Sequence, residues 1–596
     1  MRRLWRIVRG EDRRGRKLRG LVELLRPYRG RTALMFVALL LATAASLAPP
    51  YLAGRAIDDG IRAGDLGALW VIVALFVVAA IVTWGATYAQ TYLVNWVGER
   101  ALQDLRVELF RHMQRLSVGF YSRNKAGVLI SRMTNDVEAL NQLVTDSVVT
   151  LFQSSLTLIG TAVILVLLDV ELALVTFLCF PILAVGSLAF RIASTGAYRL
   201  TREKIAWVTA YLQETLSGVR VVRAFGQEPR HERRFAELNE DNREANMKTV
   251  YLNAAYFPAV ELLSAVATAA ILLYGGNQVV SGGGVTIGVL ASFVFYLNSF
   301  FDPIQALSQL YTTYQAGMAA LDKIFELLDE EPEIVDKPDA IELPRVNGEI
   351  RFDHVSFSYG SDEEAALALD DVDLTIPPGM TVALVGATGA GKSTFVKLVA
   401  RFHDPTRGAV LVDGHDLRDV TERSLRSQLG MVPQEGFLFS GTIRDNIAFG
   451  RPDASASQVE EAARAVGAHE FITALPAGYD TEVGERGGHL SAGQRQLVAF
   501  ARAAVADPRI LILDEATSNV DVHTEGRIEA GLRRLLAGRT ALVIAHRLST
   551  IQGAGRIVVL DHGRVVEQGT HEELLETGGA YARLYRDWAE QAESVA

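Results

Sequence analysis

Hydrophobic and polar positions divide the chain into two parts with different patterns. Residues 32–301 contain apolar stretches without Lys, Arg, Asp or Glu, and several exceed the roughly 20 residues that cross a bilayer as a helix. Buried helices of a soluble protein give apolar runs of roughly 10–14 residues, so that alternative is disfavoured. The first four stretches are Thr32–Gly54, Leu66–Gly98, Ser147–Leu168 and Leu172–Phe190.

A longer apolar run, Leu262–Phe301, contains two groups of glycines, Gly275–Gly276 and Gly282–Gly284. Glycine weakens a helix interior and favours breaks, so both groups are predicted to divide the run into two spans. The first of these begins near Tyr251 and includes Glu261, and a carboxylate inside a span is either functional or held by a structural partner. The pattern therefore predicts an all-α membrane domain with six crossings.

Charge sets the predicted orientation of these crossings. Residues 1–31 carry twelve Lys/Arg and three Asp/Glu, whereas the whole chain has a net charge of −10. Cytoplasmic flanks of spans are rich in Lys and Arg, which predicts a cytoplasmic N-terminus, a multi-pass protein of the cytoplasmic membrane, and cytoplasmic residues after Asp302. A basic head on an acidic chain favours a lipid bilayer as partner, and no nucleic acid. The single cysteine excludes an intrachain disulfide.

The pattern of apolar and polar residues changes after Leu328–Pro338, an acidic segment that contains two prolines. Short apolar strands now alternate with amphipathic helical stretches, which is typical of a doubly wound α/β domain. The soluble part of the chain is therefore predicted to follow the membrane domain.

A phosphate-binding loop is the strongest chemical signal in this second part. Thr381–Thr394 reads TVALVGATGAGKST, which places G-x-x-x-x-G-K-S between an apolar strand and a helix. Backbone N–H groups of such a loop surround phosphate oxygens, the lysine adds a positive charge, and the serine hydroxyl binds Mg²⁺. The predicted nucleotide-binding residues are Gly386, Ala387, Thr388, Gly389, Ala390, Gly391, Lys392, Ser393 and Thr394.

Two further apolar strands end in residues that suit phosphate chemistry. Ile510–Leu513 is followed by Asp514 and Glu515, and Ala541–Ala545 is followed by His546. An Asp at this position holds Mg²⁺, and Glu515 is placed to polarise an attacking water. Each residue alone also fits a helix cap, a solvated carboxylate or a surface histidine. Their joint occurrence at strand ends favours an active site.

The sequence Leu490-Ser-Ala-Gly-Gln494 resembles LSGGQ, the signature of ATP-binding cassette (ABC) transporters, and lies about twenty residues before Asp514. Residues 340–585 resemble the nucleotide-binding domain of this family, and residues 20–325 resemble its six-helix exporter domain. The resemblance implies these boundaries: a basic cytoplasmic segment 1–30, a transmembrane domain 31–325, a linker 326–345 and an ABC domain 346–596. It also implies ATP and Mg²⁺ as cofactors.

The family resemblance assigns roles to individual residues. Tyr359 stacks on adenine, Gln434 contacts Mg²⁺ and the attacking water, Glu515 is the general base and His546 is the switch histidine. Ser491, Gly493 and Gln494 belong to the signature that touches ATP bound by a second chain. Other matching segments are Thr481–Gly487, the interface loop Ser518–Asp521, and the coupling segments Phe120–Val137 and Leu212–Glu228.

One phosphate loop without an internal repeat predicts a half-transporter that dimerises. The signature departs from the family at Ala492, where glycine is usual, and at Leu497, where arginine is common. By resemblance to heterodimeric exporters, this favours a heterodimer, with a homodimer as the alternative. The predicted function is ATP-driven export of an amphipathic or hydrophobic drug, lipid or peptide; the alternative is a membrane-anchored ATPase that regulates or gates a partner. The aromatic stripes Phe293–Tyr296 and Phe300–Phe301 are predicted to face lipid, with cavity lining as the alternative.

Overall fold

The computed structural model describes residue 20 and residues 25–282, 284–360, 366–434, 436–514, 522–545 and 548–595. Glu515, His546 and the interface loop Ser518–Asp521 lie outside these residues. The described chain divides into two compact units. The helical unit comprises the described parts of Met1–Gln114 and Ala126–Glu330, and the α/β unit comprises Arg115–Lys125 and the described parts of Glu331–Ala596.

The helical unit consists of long helices that extend beyond the apolar spans. Its α-helices are Arg29–Ser46, Ala48–Arg55, Leu66–Met113, Ala126–Ser131, Val137–Gln142, Val148–Leu168, Val170–Phe177, Cys179–Ser217, Val219–Ala224, Glu228–Ser281 and Ile287–Asp329. A 3₁₀ turn covers Arg26–Tyr28, and π-helical turns cover Ala56–Arg62, Arg132–Asp136 and Leu143–Ser147. Six described helical stretches are long and apolar enough to cross a membrane, which confirms the predicted number.

The break between the last two spans lies at one glycine group only. The helix Glu228–Ser281 ends at Gly282, whose φ of 77° is left-handed, and the next helix starts at Ile287. The prediction that Gly275–Gly276 also breaks the run was wrong, because both residues are helical. Gly275 instead allows close packing, since a Cβ there would lie 2.7 Å from Leu290 Cδ1.

Hydrogen bonds join the last span to the end of the first one. Asp58, in the π-helical turn, accepts hydrogen bonds from the Thr286 hydroxyl and from the Gly288 amide, the latter at 2.9 Å. Tyr296 donates its hydroxyl hydrogen to the carbonyl of Leu47. Polar side chains in a membrane domain commonly join helices in this way. These contacts fix the packing of the two helices.

Most aromatic residues of the last span's stripes lie inside the helical unit. Phe295 is exposed, at 51%, whereas Phe293, Tyr296, Phe300 and Phe301 are buried, so the prediction that the stripes face lipid was wrong for these four residues. The reason is that they share one cluster with side chains of the neighbouring spans. Other large apolar side chains of the spans are exposed, and an apolar surface of that extent is suited to a bilayer or a partner.

The α/β unit contains two sheets. Its strands are β1 (Ile350–Phe357), β2 (Leu369–Ile376), β3 (Thr381–Val385), β4 (Arg407–Val412), β5 (His415–Asp416), β6 (Leu429–Val432), β7 (Ile510–Asp514), β8 (Thr540–Ile544), β9 (Arg556–Asp561) and β10 (Arg564–Gly569). The first sheet has the order β2-β1-β4-β5 and is antiparallel. The second has the order β10-β9-β3-β8-β7-β6, and all its pairs are parallel except β9–β10.

Apolar side chains fill both faces of the parallel sheet, as expected for a doubly wound fold. In β3, Ala383 and Val385 join one buried cluster, whereas Val382 and Leu384 join the other. The described helices of this unit are Val118–Arg123, Lys392–Val399, Glu422–Arg426, Ile443–Ala448, Ala456–Ala465, His469–Thr473, Ala492–Val505, Val522–Leu536, Leu548–Gln552, His571–Thr577 and Ala580–Val595, with 3₁₀ turns at Leu417–Asp419, Gly478–Asp480 and Glu485–Gly487. The fold class predicted from the sequence is therefore confirmed.

Candidate active site

The phosphate-binding loop connects β3 to the helix Lys392–Val399. The loop residues Ala387, Thr388 and Gly389 are exposed, whereas Lys392 is buried. The Lys392 ammonium donates hydrogen bonds to the carbonyl oxygens of Gly386 and Ala387 at 2.7 and 3.0 Å. The loop therefore encloses its own positive charge and presents its backbone to solvent, which suits an anionic ligand.

Glycine is required at two positions of this loop. Gly386 and Gly391 have φ values of 149° and 107°, in the region that favours glycine. A Cβ on Gly391 would lie 2.7 Å from the carbonyl oxygen of Ala368, and one on Gly386 would collide with the carbonyl of Leu560. The neighbouring strands β2 and β9 thus fix the path of the loop, a constraint that the sequence motif alone does not reveal.

The ends of four parallel strands lie side by side next to this loop. Leu384 of β3 is paired with Ile544 of β8, and Ile544 is paired with Asp514 of β7. Val432 of β6 is in turn paired with Leu513. The predicted residues Asp514 and Gln434 therefore share the carboxyl edge of the sheet with the phosphate loop, the usual place for a ligand in this fold.

The oxygen donors at this edge fit a magnesium ion. The side chains of Ser393, Asp514 and Gln434 supply a hydroxyl, a carboxylate and an amide oxygen. Mg²⁺ prefers oxygen ligands and is usually bound by one or two carboxylates together with substrate phosphates. The part of the chain that the structure describes contains no cluster of three His, Cys, Asp or Glu side chains suited to a metal.

The signature sequence forms the start of a helix. Ser491 is the N-cap of Ala492–Val505, its hydroxyl accepts a hydrogen bond from the Gln494 amide at 3.2 Å, and the Gln494 side chain accepts one from the Ser491 amide at 2.9 Å. Such a capping box leaves the positive end of the helix dipole facing outwards. Ser491 and Ala492 are exposed and Gly493 is buried. Leu497 lies in the apolar core, so its departure from the family pattern affects packing.

The predicted base-stacking residue Tyr359 lies two residues after the end of β1. Its hydroxyl is 3.1 Å from the Thr394 hydroxyl, and about half of the residue is exposed, at 51%. Behind it lies His403, a buried side chain that sequence reasoning missed. The signal available was a histidine immediately after the apolar helix that follows the phosphate loop.

The two predicted coupling segments have different surroundings. In the first, Phe120–Val137, the helix Val118–Arg123 belongs to the α/β unit, whereas the part from Ala126 onwards belongs to the helical unit. In the second, the short helix Val219–Ala224 connects two long helices, and large apolar side chains there, including Phe225, are exposed. The segment Thr481–Gly487 contains left-handed backbone at Gly484 and Arg486.

A unit of six membrane-spanning helices joined to a phosphate-loop α/β unit defines a nucleotide-driven membrane transporter. The family model described as "ABC transporter transmembrane region" matches residues 32–304, and the family model described as "ABC transporter" matches residues 369–518. The chain therefore belongs to the ABC transporter family, and it is an exporter-type half-transporter that hydrolyses ATP.

Similar proteins cover nearly the whole chain. An uncharacterized ABC transporter ATP-binding protein, YknV of Bacillus subtilis, is 42% identical over 95% of this chain and 93% of its own length. An ATP-dependent lipid A-core flippase of Syntrophus aciditrophicus is 41% identical, over 95% and 93%. A multidrug efflux ATP-binding/permease protein of Mycobacterium bovis is 41% identical over 94% of this chain and 47% of its own length. A solved bacterial Atm1-family ABC exporter with ATP bound is 33% identical, with a TM-score of 0.77 over 95% of this chain and 98% of that one.

Exporters of this family function as dimers and act on substrates in the membrane. The chain accordingly couples ATP hydrolysis to export as one half of a dimer.

Proposed function

We propose that this protein exports an amphipathic or hydrophobic molecule, such as a drug, a lipid or a peptide, across the cytoplasmic membrane, with its ATPase domain in the cytoplasm. Two relatives whose names specify lipid flipping and multidrug efflux support this substrate class. The exposed apolar surfaces of the spans support a bilayer location. The proposed domain boundaries are 31–325 for the membrane domain, 326–345 for the linker and 346–596 for the ATPase domain.

In the proposed active site, the phosphate loop and Lys392 bind the ATP phosphates. Ser393, Asp514 and Gln434 hold Mg²⁺, which supplies charge neutralisation for the transferred phosphoryl group. Glu515 acts as the general base towards the attacking water, and His546 contacts the γ-phosphate. Tyr359 stacks on adenine with its exposed face.

Each ATP is proposed to lie between the phosphate loop of one chain and the signature helix of another. The observation that carries this proposal is that both anion-binding surfaces are exposed on the α/β unit: the loop residues 387–389, and Ser491–Ala492 at the start of a capped helix. The Ser491 hydroxyl and the Gly493 amide then contact the γ-phosphate bound by the second chain, next to Gln494. ATP acts as a ligand with higher affinity for the closed dimer, and hydrolysis releases it.

The second chain is proposed to be a different half-transporter. The exposed Ala492 methyl lies beside Ser491, where the γ-phosphate of the other chain's ATP is proposed to dock. A methyl group at this contact weakens the ATP site formed by this chain's signature helix and the partner's phosphate loop. The other ATP site is formed by this chain's phosphate loop and Glu515 together with the partner's signature sequence. A heterodimer with one stronger and one weaker site follows, and a homodimer remains the alternative.

Reconstituted export tests the proposed function. Proteoliposomes containing the assembled transporter receive a fluorescent phospholipid or an amphipathic dye, and ATP-dependent movement between leaflets is followed by quenching. We expect movement that Lys392→Ala abolishes, because the phosphate loop loses the positive charge that binds ATP. ATP hydrolysis without movement of any probe would instead favour the regulator that gates a partner.

A further inference from the structure

A buried histidine lies between the proposed base-binding tyrosine and the helix Val118–Arg123, which overlaps the start of the first coupling segment. The His403 ring is edge-to-face with Tyr359, at 5.3 Å between ring centroids and 87° between planes. It also contacts Phe357, at 5.3 Å. On another side it meets Gly119, where a Cβ would lie 3.0 Å from His403 Cε1. One imidazole ring therefore contacts both Tyr359 and the helix Val118–Arg123.

The segment Arg115–Lys125 is held against this ring by polar contacts on either side of Gly119. The Ser117 hydroxyl accepts a hydrogen bond from the Ile334 amide at 3.0 Å, and Arg123 pairs with Glu333. A Cβ on Gly119 would also lie 2.6 Å from Glu333 Oε2. Because glycine lacks a side chain, the backbone of this helix packs closely against the His403 ring.

The other neighbours of Tyr359 leave much of its ring available. Its hydroxyl is fixed by Thr394, the residue after Ser393 of the phosphate loop, and the Lys397 ammonium lies 5.6 Å from its ring centroid. A base stacked on the exposed part of the ring would restrict Tyr359. His403 is the side chain that contacts Tyr359 on one side and Gly119 on the other.

We propose that His403 is a positioning residue that links the nucleotide base on Tyr359 to the segment Arg115–Lys125, which overlaps the first coupling segment Phe120–Val137. Burial lowers the pKa of His403; Lys397 and Arg123 act in the same direction, whereas Glu333 and Asp404 oppose them. The ring therefore acts in its neutral form, through its shape and its contacts. The inference rests on the proposed stacking of adenine on Tyr359.

Hydrogen–deuterium exchange of the full-length chain, in its assembled transporter in lipid nanodiscs, tests the link. A peptide covering residues 115–125 is followed with and without a non-hydrolysable ATP analogue and Mg²⁺. We expect the analogue to slow exchange at least about threefold in the wild type, because bound ligand suppresses local opening. His403→Ala should lose most of this slowing at saturating analogue, and His403→Phe, which keeps an aromatic ring, should retain it.

A second substitution tests the same contact from the helix Val118–Arg123. Gly119→Ala pushes the helix away from His403 and should lose the slowing in the same way, even where His403→Ala folds poorly. Gly127→Ala is the matched control, since a Cβ there meets no atom within 4 Å, and it should behave as the wild type. Full slowing in His403→Ala or in Gly119→Ala, or equal loss in His403→Phe, would overturn the inference.

The proposed stacking is tested separately with Tyr359→Ala. If adenine stacks on Tyr359, this variant should bind the analogue about tenfold more weakly. Unchanged affinity would refute the role of Tyr359 in the proposed function. Weakened affinity together with full slowing in His403→Ala would leave that role intact and refute only the link through His403.

Discussion

Substitution of Gly391 by alanine should disrupt nucleotide binding for a reason that the structure separates into two parts. The first part is backbone conformation, because φ is 107° and a left-handed backbone costs a non-glycine residue about 1–2 kcal/mol. The second is space, because a Cβ would lie 2.7 Å from the Ala368 carbonyl oxygen and 2.8 Å from Leu369 Cδ2. Ala368 directly precedes β2, so its carbonyl cannot shift without disturbing the start of that strand, and overpacking of this kind costs about 1–3 kcal/mol.

Substitution of Gly389 separates the cost of backbone conformation from the cost of steric overlap. The φ of Gly389 is 87°, but a Cβ there meets no atom within 4 Å, so Gly389→Ala carries only the conformational cost. If that cost opposes the bound conformation of the loop, affinity for ATP falls about tenfold, since 1.4 kcal/mol corresponds to a factor of ten. Gly391→Ala, at about 3 kcal/mol, should weaken ATP binding more than about 100-fold.

The assay is titration with a fluorescent ATP analogue, with thermal unfolding alongside. Gly414→Ala is the control outside the loop: its φ is 81°, and a Cβ there also meets no atom within 4 Å. It should change the melting temperature about as much as Gly389→Ala without changing ATP affinity. Equal affinities of the Gly389→Ala and Gly391→Ala proteins, or wild-type affinity of Gly391→Ala, would refute the reasoning.

Three further outcomes are expected. Gly275→Ala should destabilise the membrane domain by about 1–3 kcal/mol, because a Cβ there would overlap Leu290. Gly276→Ala should be neutral or stabilising, because a Cβ there meets no atom within 4 Å. Thermal unfolding in detergent distinguishes the two variants. Phe395→Ala should cost about 3–5 kcal/mol in unfolding free energy, because the buried Phe395 ring stacks on Phe352 at 3.9 Å; wild-type thermal stability would contradict this packing. Lys392→Ala should abolish detectable ATP binding in an equilibrium titration, and normal affinity would contradict the phosphate-loop assignment.

The sequence predicted the elements whose signal is local. Apolar length predicted the six crossings, and the glycine-rich motif predicted the strand before the phosphate loop and the helix after it. The prediction about Gly275–Gly276 failed because glycine in a helix also serves close packing, and the partner side chains Leu290 and Leu172 are distant in sequence. The prediction for Phe293, Tyr296, Phe300 and Phe301 failed for the same reason, since composition does not show which helix face packs against a neighbouring helix.

Contacts between segments that are distant in the chain could not be predicted from the sequence. Nothing local indicates that Ala368 and Leu560 limit the phosphate loop, or that His403 lies between Tyr359 and Gly119. These contacts arise from the pairing of strands and the return of residues 115–125 to the α/β unit. Motifs therefore predicted which residues carry the chemistry, and the fold was needed to show what positions them.

ATP turnover in lipid nanodiscs, measured for the wild type and for Glu515→Gln, tests the central claim most directly. The chain is purified alone and with the second half-transporter that co-purifies from its native membrane. We expect the chain alone to bind ATP without robust turnover, and the pair of half-transporters to hydrolyse ATP. In the pair, Glu515→Gln should lower the turnover rate at least about 100-fold while ATP still binds, because general-base catalysis contributes about 10²–10⁴-fold. Undiminished hydrolysis by Glu515→Gln would contradict the assignment of the base, and robust turnover by the chain alone would contradict the heterodimer.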